Sequence, residues 1–346
     1  MQSLLINILI LILGFIALVK GSDLFVRAAS SIAKKIGVSE FVIGLTLVAV
    51  GTSIPEFVSS VMASVKQQSD IVMGNVMGSN IANIGLIIGA AAAISVIKTR
   101  EEMLRRDGYI MLLAAVLVYV FLINGVLSSY EALLFLLLYF AYIAFLFREV
   151  HGYEGEYGFK QFITYFFKLG YIRETIKTFS NRAGNSSSKS NEVETERLSR
   201  DLLVLAASGV AIVAGANYLI DRAVFFAEAA NISKTLIGLT LVAVGTSLPE
   251  LSVSFTAARK GFGDIAVANI IGSNIANIFL ILGVSGLIFP IYVQETTLNY
   301  IAPFVIFMSI LLMVFIRSHW ELRRVEGVAF LILYMGFMAF LFTFQV

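Results

Sequence analysis

Apolar residues run along this chain in blocks of about twenty or more, and the stretches between blocks collect the charged residues. About 20 mostly apolar residues, rising 1.5 Å each as a helix, cross a bilayer. The pattern predicts ten such spans. In the first half they cover 3–33, 39–66, 70–97, 106–124 and 129–148; in the second they cover 201–229, 234–259, 264–289, 295–316 and 323–345. The first is long for one crossing and is expected to tilt or project. Its start, Met1–Lys20, lacks the positive n-region and the A-x-A-like site of a signal peptide, so it reads as a helix. The segment 149–200 has a different character. Phe159–Phe179 is amphipathic and reads equally as a membrane-surface helix or an ordinary connecting helix. Asn181–Glu196, rich in Ser, Asn and charge, reads as a flexible linker.

Composition narrows the class. Of 346 residues 58% are hydrophobic and 14% are charged, against about 25% charged in soluble domains. Mean hydropathy is +0.89. Soluble, disordered and fibrous classes are excluded, and an all-α integral membrane protein remains. With no Cys and two His, disulfide scaffolds, thiolate metal sites, Cys nucleophiles and His-rich metal centres drop out. A net charge of +2 gives no case for nucleic-acid binding.

Loop charge sets the orientation. If 149–200 is cytoplasmic, twenty of the 25 Lys and Arg lie inside, only Lys66 and Lys234 lie outside, and the rest fall within spans. By the positive-inside rule both termini are outside and the central loop is inside. The cell membrane is the expected location.

The chain is also written twice. Ile43–Ser53 recurs letter for letter at Ile237–Ser247, Pro55-Glu56 recurs as Pro249-Glu250, and Gly78–Ile84 recurs at Gly272–Ile278, always offset by 194 residues. This is an internal duplication. It divides the chain into a first repeat (1–148), a cytoplasmic loop (149–200) and a second repeat (201–346). Five spans per repeat is odd, so the second copy enters the membrane from the opposite side. Such inverted repeats are typical of secondary transporters, whose substrate site lies at the midplane between the repeats.

The chemistry sits at the duplicated positions. Ala49, Thr52, Ser53 and Glu56, like Ala243, Thr246, Ser247 and Glu250, are spaced i, i+3, i+4, i+7 and share one helical face. Pro55 cannot donate to the carbonyl four residues back, at Gly51, so backbone oxygens across 49–52 are expected to lack intrahelical partners. Of four prolines in the chain, two hold this one equivalent position. The next span of each repeat carries a polar stripe, Asn75, Ser79 and Asn83, matched by Asn269, Ser273 and Asn277. Hydroxyls and amides in spans commonly just bond neighbouring helices. An ionised Glu at the bilayer centre is different: it costs at least ~2.5 kcal/mol, and neither Glu56 nor Glu250 has a Lys or Arg near it in its own span. Protons or bound cations must neutralise them. Carboxylates, hydroxyls, amides and carbonyls form an all-oxygen set suited to hard cations such as Ca²⁺. Among the other charges, Asp70 and Asp264 read as helix caps, and Asp23–Arg27 and Asp221–Arg222 read as structural pairs.

GTSIPE (51–56) with GNVMGSNIANI (74–84), and GTSLPE (245–250) with ANIIGSNIANI (268–278), resemble the α-repeats of the cation/Ca²⁺ exchanger superfamily. They look most like those of the prokaryotic sodium/calcium exchangers. The resemblance covers both halves and leaves out the 149–200 loop. It implies the sodium/calcium exchanger fold and a Na⁺/Ca²⁺ antiporter with four clustered cation sites at the midplane. Carried over by motif, the Ca²⁺ ligands are Glu56 and Glu250 with backbone oxygens of Thr52 and Thr246. Flanking Na⁺ sites draw on the Ala49 and Ala243 carbonyls, the hydroxyls of Ser53, Ser247, Ser79 and Ser273, and the same glutamates. Asn83 and Asn277 close the centre. The 3–33 and 201–229 helices would form a sliding gate. At Asn277 some archaeal and all potassium-dependent relatives carry Asp, so Asn here argues against K⁺ co-transport. It leaves a site of charge −2, which one Ca²⁺ neutralises and more than two Na⁺ would overfill, making exchange electrogenic.

The bilayer and the two ions are the only partners implied. No enzyme activity, prosthetic cofactor, nucleic acid or protein partner is expected, and the loop has no EF-hand-type run. The alternative is Ca²⁺/H⁺ exchange by titratable glutamates, although proton-coupled relatives tend to carry a more acidic motif in place of GNVMGSN. A channel lacks its filter loops here, and an intramembrane protease lacks its catalytic residues.

Overall fold

The computed structural model describes all residues except 1, 37–38, 151–157, 173–191, 230–244, 246 and 345–346. The chain is helical nearly throughout. Helix α1 (Gln2–Ile36) is unbroken. Helices α2 (Glu40–Thr52) and α3 (Ile54–Val65) meet at 49°. Then come α4 (Ser69–Ile94), α5 (Tyr109–Leu122), α6 (Ser129–Val150) and the short α7 (Phe159–Phe167). The second half holds α8 (Glu192–Ala229), α9 (Leu248–Arg259), α10 (Gly263–Ile288), α11 (Thr297–His319) and α12 (Arg324–Phe344). Among the described residues seven of these are long and apolar enough to cross a membrane, and the bent α2–α3 pair makes an eighth. Helix α5, led in by the charged turn Glu101–Met103, and α9, whose predicted span begins outside the described residues, are the other two segments read from the sequence as spans. The chain is a multi-pass integral membrane protein.

Two expectations need correction. Glu192–Glu196, read as linker, belongs to α8. Composition alone hides this, because the residues before it are rich in Ser and Asn. The span expected over 70–97 stops at Ile94, because Ile97–Lys98 is a strand, β1. Three more two-residue strands follow: β2 (Val126–Leu127), β3 (Ile291–Tyr292) and β4 (Glu321–Leu322). They pair antiparallel as β1·β4, with Ile97 opposite Leu322, and β2·β3, with Val126 opposite Tyr292. Each ladder joins a loop of the first half to a loop of the second. The connection after α4 must therefore lie at the same end of the bundle as the one before α12. The connection before α6 likewise shares an end with the one after α10.

The halves are alike in local detail. Pro55 and Pro249 each stand in the first turn of their helices, where the missing N–H costs nothing. The residues before those helices adopt one backbone: Ser53 at φ −83, ψ 11 and Ser247 at φ −89, ψ 7. Both lie in the sparsely populated bridge region. π-Helical turns recur at Asn83–Ile88 and Asn277–Leu282. The turn after α3 passes through a left-handed residue, Gln67, and the turn after α9 does so at Gly261.

Helices α4 and α10 are the most enclosed of the spans, while α1, α8 and α12 present Leu13, Leu203, Val210 and Ile332 outward. With no hydrophobic drive between helices in lipid, close packing of small residues holds them together. A Cβ on Gly215 of α8 would lie 2.7 Å from Gly14 O of α1, and one on Gly327 of α12 would lie 2.7 Å from Gly89 O of α4. Lys35 of α1 pairs with Asp201 of α8 at 2.6 Å, and Ser31 donates to the same carboxylate. The Asp23–Arg27 pair forms at 3.2 Å, and Lys260 at the end of α9 joins it. Arg222 instead reaches Asn7 Oδ1 of α1 at 2.6 Å. Asp70 and Asp264 stand in the first turns of α4 and α10, whose N-caps are Gln68 and Phe262, and Asp264 also pairs with Arg100 at 2.8 Å. Helix α7 turns Phe162 and Tyr165 onto α6, with Phe162 and Phe145 ring centroids 5.8 Å apart. Phe167 on the same helix stays exposed, and 173–179 of the predicted amphipathic stretch lie outside the described residues.

Across the halves, α2 lies on α10. A Cβ on Gly272 would meet Leu45 O at 2.7 Å and Ala49 Cβ at 2.8 Å. Gly272→Ala is expected to lower unfolding stability in detergent by about 1–3 kcal/mol. Gly336→Ala, where an added Cβ meets nothing within 4 Å, should leave the melting temperature unchanged or raised.

Candidate functional site

The α2–α3 break decides where the first carboxylate points. Glu56 is in the first turn of α3 and Glu250 in the first turn of α9. Each carboxylate thus sits by the positive end of a helix dipole. Both are about 1% exposed, so neither is bathed by lipid or bulk water. The backbone around the break is less open than the sequence suggests: Ala49 O accepts from Ser53 N at 3.1 Å and from Thr52 Oγ1 at 3.3 Å. The expectation of unpaired oxygens fails at Ala49, because Ser53 continues the hydrogen-bond ladder one residue past α2. Pro55 removes only the donor that would reach Gly51.

The two halves complete each other. Ser53 Oγ donates to Glu250 Oε1 at 2.9 Å, and Ser247 Oγ lies 3.5 Å from Glu56 Oε1. Ser273 Oγ is 3.0 Å from Ser53 Oγ and 3.5 Å from Ala49 O. Thr52 Oγ1 reaches Asn269 Oδ1 at 3.2 Å. Asn75 Nδ2 holds the backbone carbonyl of Glu56 at 3.0 Å and Ser60 Oγ at 2.8 Å, and Asn269 Nδ2 holds Ser254 Oγ at 2.9 Å in the matching place. Small residues make these contacts possible, since Gly272 lets the α2 backbone approach the helix that carries Asn269 and Ser273.

Amides from the two halves also meet. Asn83 Nδ2 donates to Asn274 Oδ1 at 2.9 Å, and Asn277 Nδ2 donates to Asn80 Oδ1 at 3.2 Å. Among the described residues, four oxygens of these carboxylates and amides lack any hydrogen-bond donor: Glu56 Oε2, Glu250 Oε2, Asn83 Oδ1 and Asn277 Oδ1. They come in pairs from equivalent positions of the two halves. A buried acceptor without a donor costs about 1–3 kcal/mol, more if charged. Two carboxylates and two amide oxygens without donors have the chemistry of a hard-cation site. Among the described residues no group of three or more His, Cys, Asp or Glu gathers, so the donor set rests on two carboxylates and neutral oxygens.

Of the residues singled out from the sequence, the structure joins Thr52, Ser53, Ser273, Ala49 and Glu250 in one hydrogen-bonded net, sets Ser247 against Glu56, and buries Asn83 and Asn277 with donor-free oxygens. Ser79 is buried one turn before Asn83 on α4. Ala243 and Thr246 lie outside the described residues. Sequence reasoning passed over Asn80 and Asn274. The signal was present, since the same Asn stands in both copies of GSNIANI, but the face that it presents becomes apparent only once α4 and α10 cross. A cavity of about 870 Å³ runs between α1 and α9 beside Leu248 and Leu251, with Asp23, Arg259 and Lys260 among its lining.

A family model described as sodium/calcium exchanger protein matches residues 6–148 and 201–343. The chain is 55% identical to the sodium/calcium exchanger MaX1 of Methanosarcina acetivorans over 97% of this chain and 99% of that protein. It is 31% identical to a putative antiporter, CaxA, of Alkalimonas amylolytica over 98% of this chain and 99% of that one. Its fold matches the sodium-calcium exchanger NCX_Mj, solved after soaking with 10 mM Na⁺ and 10 mM Sr²⁺, with a TM-score of 0.77 at 32% identity over 97% of this chain and 98% of that one.

Asn75→Leu is expected to destabilise the protein by about 1–3 kcal/mol, since it strips the donor from the Glu56 carbonyl and Ser60. Thermal unfolding in detergent without Ca²⁺ would measure this.

Proposed function

The chain belongs to the sodium/calcium exchanger family, and on that premise we propose that it exchanges Na⁺ for Ca²⁺ across the membrane by alternating access. The observation that carries the reading is the set of four buried donor-free oxygens, Glu56 Oε2, Glu250 Oε2, Asn83 Oδ1 and Asn277 Oδ1. Ca²⁺ binds the two glutamates with the backbone oxygens of Thr52 and Thr246. Na⁺ uses the same glutamates with Ala49, Ala243, Ser53, Ser247, Ser79 and Ser273. The ions compete because the shared carboxylates cannot hold both loads. The site carries −2 with both glutamates ionised, which one Ca²⁺ balances. Exchange of more than two Na⁺ is then electrogenic, and Asn at both 83 and 277 leaves no third acid to support K⁺ binding.

The architecture proposed for this is ten transmembrane helices in two inverted five-helix repeats, 1–148 and 201–346, joined by a cytoplasmic loop, 149–200, in the cell membrane with both termini outside. The two strand ladders support it. Each pairs a loop of one half with a loop of the other, as an even number of crossings between those loops requires. The gate is α1 with α8. Their mutual contacts through Gly215 and Lys35–Asp201 support movement as a pair, and their outer faces present exposed apolar residues such as Leu13, Leu203 and Val210.

The test is radiolabelled Ca²⁺ uptake into Na⁺-loaded proteoliposomes in a Na⁺-free bath with no pH gradient. Uptake should require internal Na⁺ and collapse with a Na⁺ ionophore. Uptake indifferent to Na⁺ but driven by a pH gradient would move the protein to the proton-coupled class. Glu56→Gln or Glu250→Gln should abolish uptake in protein that still elutes as a folded monodisperse peak; retained flux in either would refute the site. An inside-positive potential set with K⁺ and valinomycin should accelerate uptake, because net positive charge leaves with Na⁺, each charge being worth ~2.3 kcal/mol per 100 mV. Flux indifferent to voltage would sink electrogenic exchange.

A further inference from the structure

The two amide pairs at the crossing of α4 and α10 have a consistent sense. Asn80 Oδ1 accepts the Nδ2 of Asn277, and Asn274 Oδ1 accepts the Nδ2 of Asn83. An amide carries its acceptor and its donors on the two arms of one rigid planar group. Fixing Nδ2 therefore fixes where Oδ1 points. In both pairs the amide three residues nearer the C-terminus, Asn83 or Asn277, gives its NH₂ to the other helix and keeps a bare, buried Oδ1. All four asparagines are buried, so water does not compete for these groups.

The orientation is informative because a different one is available. Glu56 Oε2 and Glu250 Oε2 each lack a donor, yet neither amide turns its NH₂ to them. Asn277 stands one turn beyond Ser273, which contacts Ser53, which in turn donates to Glu250. An NH₂ turned toward that face would offer protons where the carboxylates need a cation. An Oδ1 turned there adds a neutral oxygen without adding charge.

We propose that Asn80 and Asn274 are positioning residues that act as cross-repeat amide clamps: each locks the amide of Asn277 or Asn83 with its oxygen toward the ions and its NH₂ away from them. This rests on the cation-binding reading of the site. The clamp sets Ca²⁺ affinity through a side chain that does not itself touch the ion. It also ties the two halves at the point where each contributes a ligand.

The experiment measures Ca²⁺ dependence in two ways, as the KM of Na⁺-driven uptake and as the midpoint of Ca²⁺-induced thermal stabilisation of the purified protein. Asn80→Leu keeps the branched shape and the number of side-chain heavy atoms and removes the acceptor. It should raise both constants roughly tenfold or more, the equivalent of ~1.4 kcal/mol. Asn277→Asp supplies the discriminating background, because a carboxylate presents an oxygen whichever way it turns. In that background Asn80→Leu should shift neither constant. Asn274→Leu, compared with and without Asn83→Asp, repeats the test on the other clamp and serves if Asn80→Leu fails to fold. An unchanged KM and midpoint in both single variants overturns the clamp. So does an equal rise with and without Asp at the clamped position, which marks a general packing defect. If the wild-type protein is neither stabilised by Ca²⁺ nor able to take it up, the cation-binding reading falls, and the clamp with it.

Discussion

Two carboxylates buried at the heart of a membrane-spanning bundle set the terms for the rest of this structure. An ionised side chain there is tolerated only if something of opposite charge, or a set of aligned dipoles, stands against it. Glu56 and Glu250 have no lysine or arginine beside them in their own spans. Instead each takes the first turn of a helix that begins inside the bundle, a hydroxyl from the other half, and an oxygen left bare. The dipole and hydroxyl offset part of the cost of burying charge. The remainder is a strong demand for a cation, and that unmet demand is what a transporter of hard cations uses.

That demand explains why the helices break where they do. A continuous helix would bury its dipole ends at the membrane faces, far from the carboxylates. Pro55 and Pro249 stand in the first turns of helices that start beside Glu56 and Glu250, and Ser53, at the break between α2 and α3, shares its backbone conformation with Ser247. The same serines reach the opposite glutamates. Local geometry and long-range contact are therefore one feature, and neither half holds a complete site.

Close packing of small residues then ties the helices to one another. Glycines let α2 lie directly on α10, and α12 on α4, so the helices that carry the buried polar side chains form an interlocked centre. Helices α1 and α8 pack on each other by the same means and add the ionic contact at Asp201. Their outward faces are apolar. The tie from Asp23 of α1 to Lys260 of α9 is a polar contact of a kind that can be exchanged for water.

Much of this was legible in the sequence, because a bilayer imposes a fixed length on apolar blocks and a duplication exposes its own invariant letters. Helix positions, the break at Pro55 and the burial of Glu56, Glu250, Asn83 and Asn277 follow from local rules: 20-residue spans, proline's missing donor, and the cost of charge in lipid. Composition misjudged Glu192–Glu196, where Ser/Asn-rich surroundings mask helix-favouring acids, and Ile97–Lys98, where pairing with a partner more than two hundred residues away overrides helical continuation. Only the tertiary structure could decide which serine meets which glutamate, that Ala49 O keeps its helical donor, and that Asn80 and Asn274 orient the amides of the opposite half. Those facts depend on how α2, α4 and α10 cross. Crossing geometry is set by glycine contacts between segments remote in sequence, so a one-dimensional pattern names the atoms of the site but not which way they face.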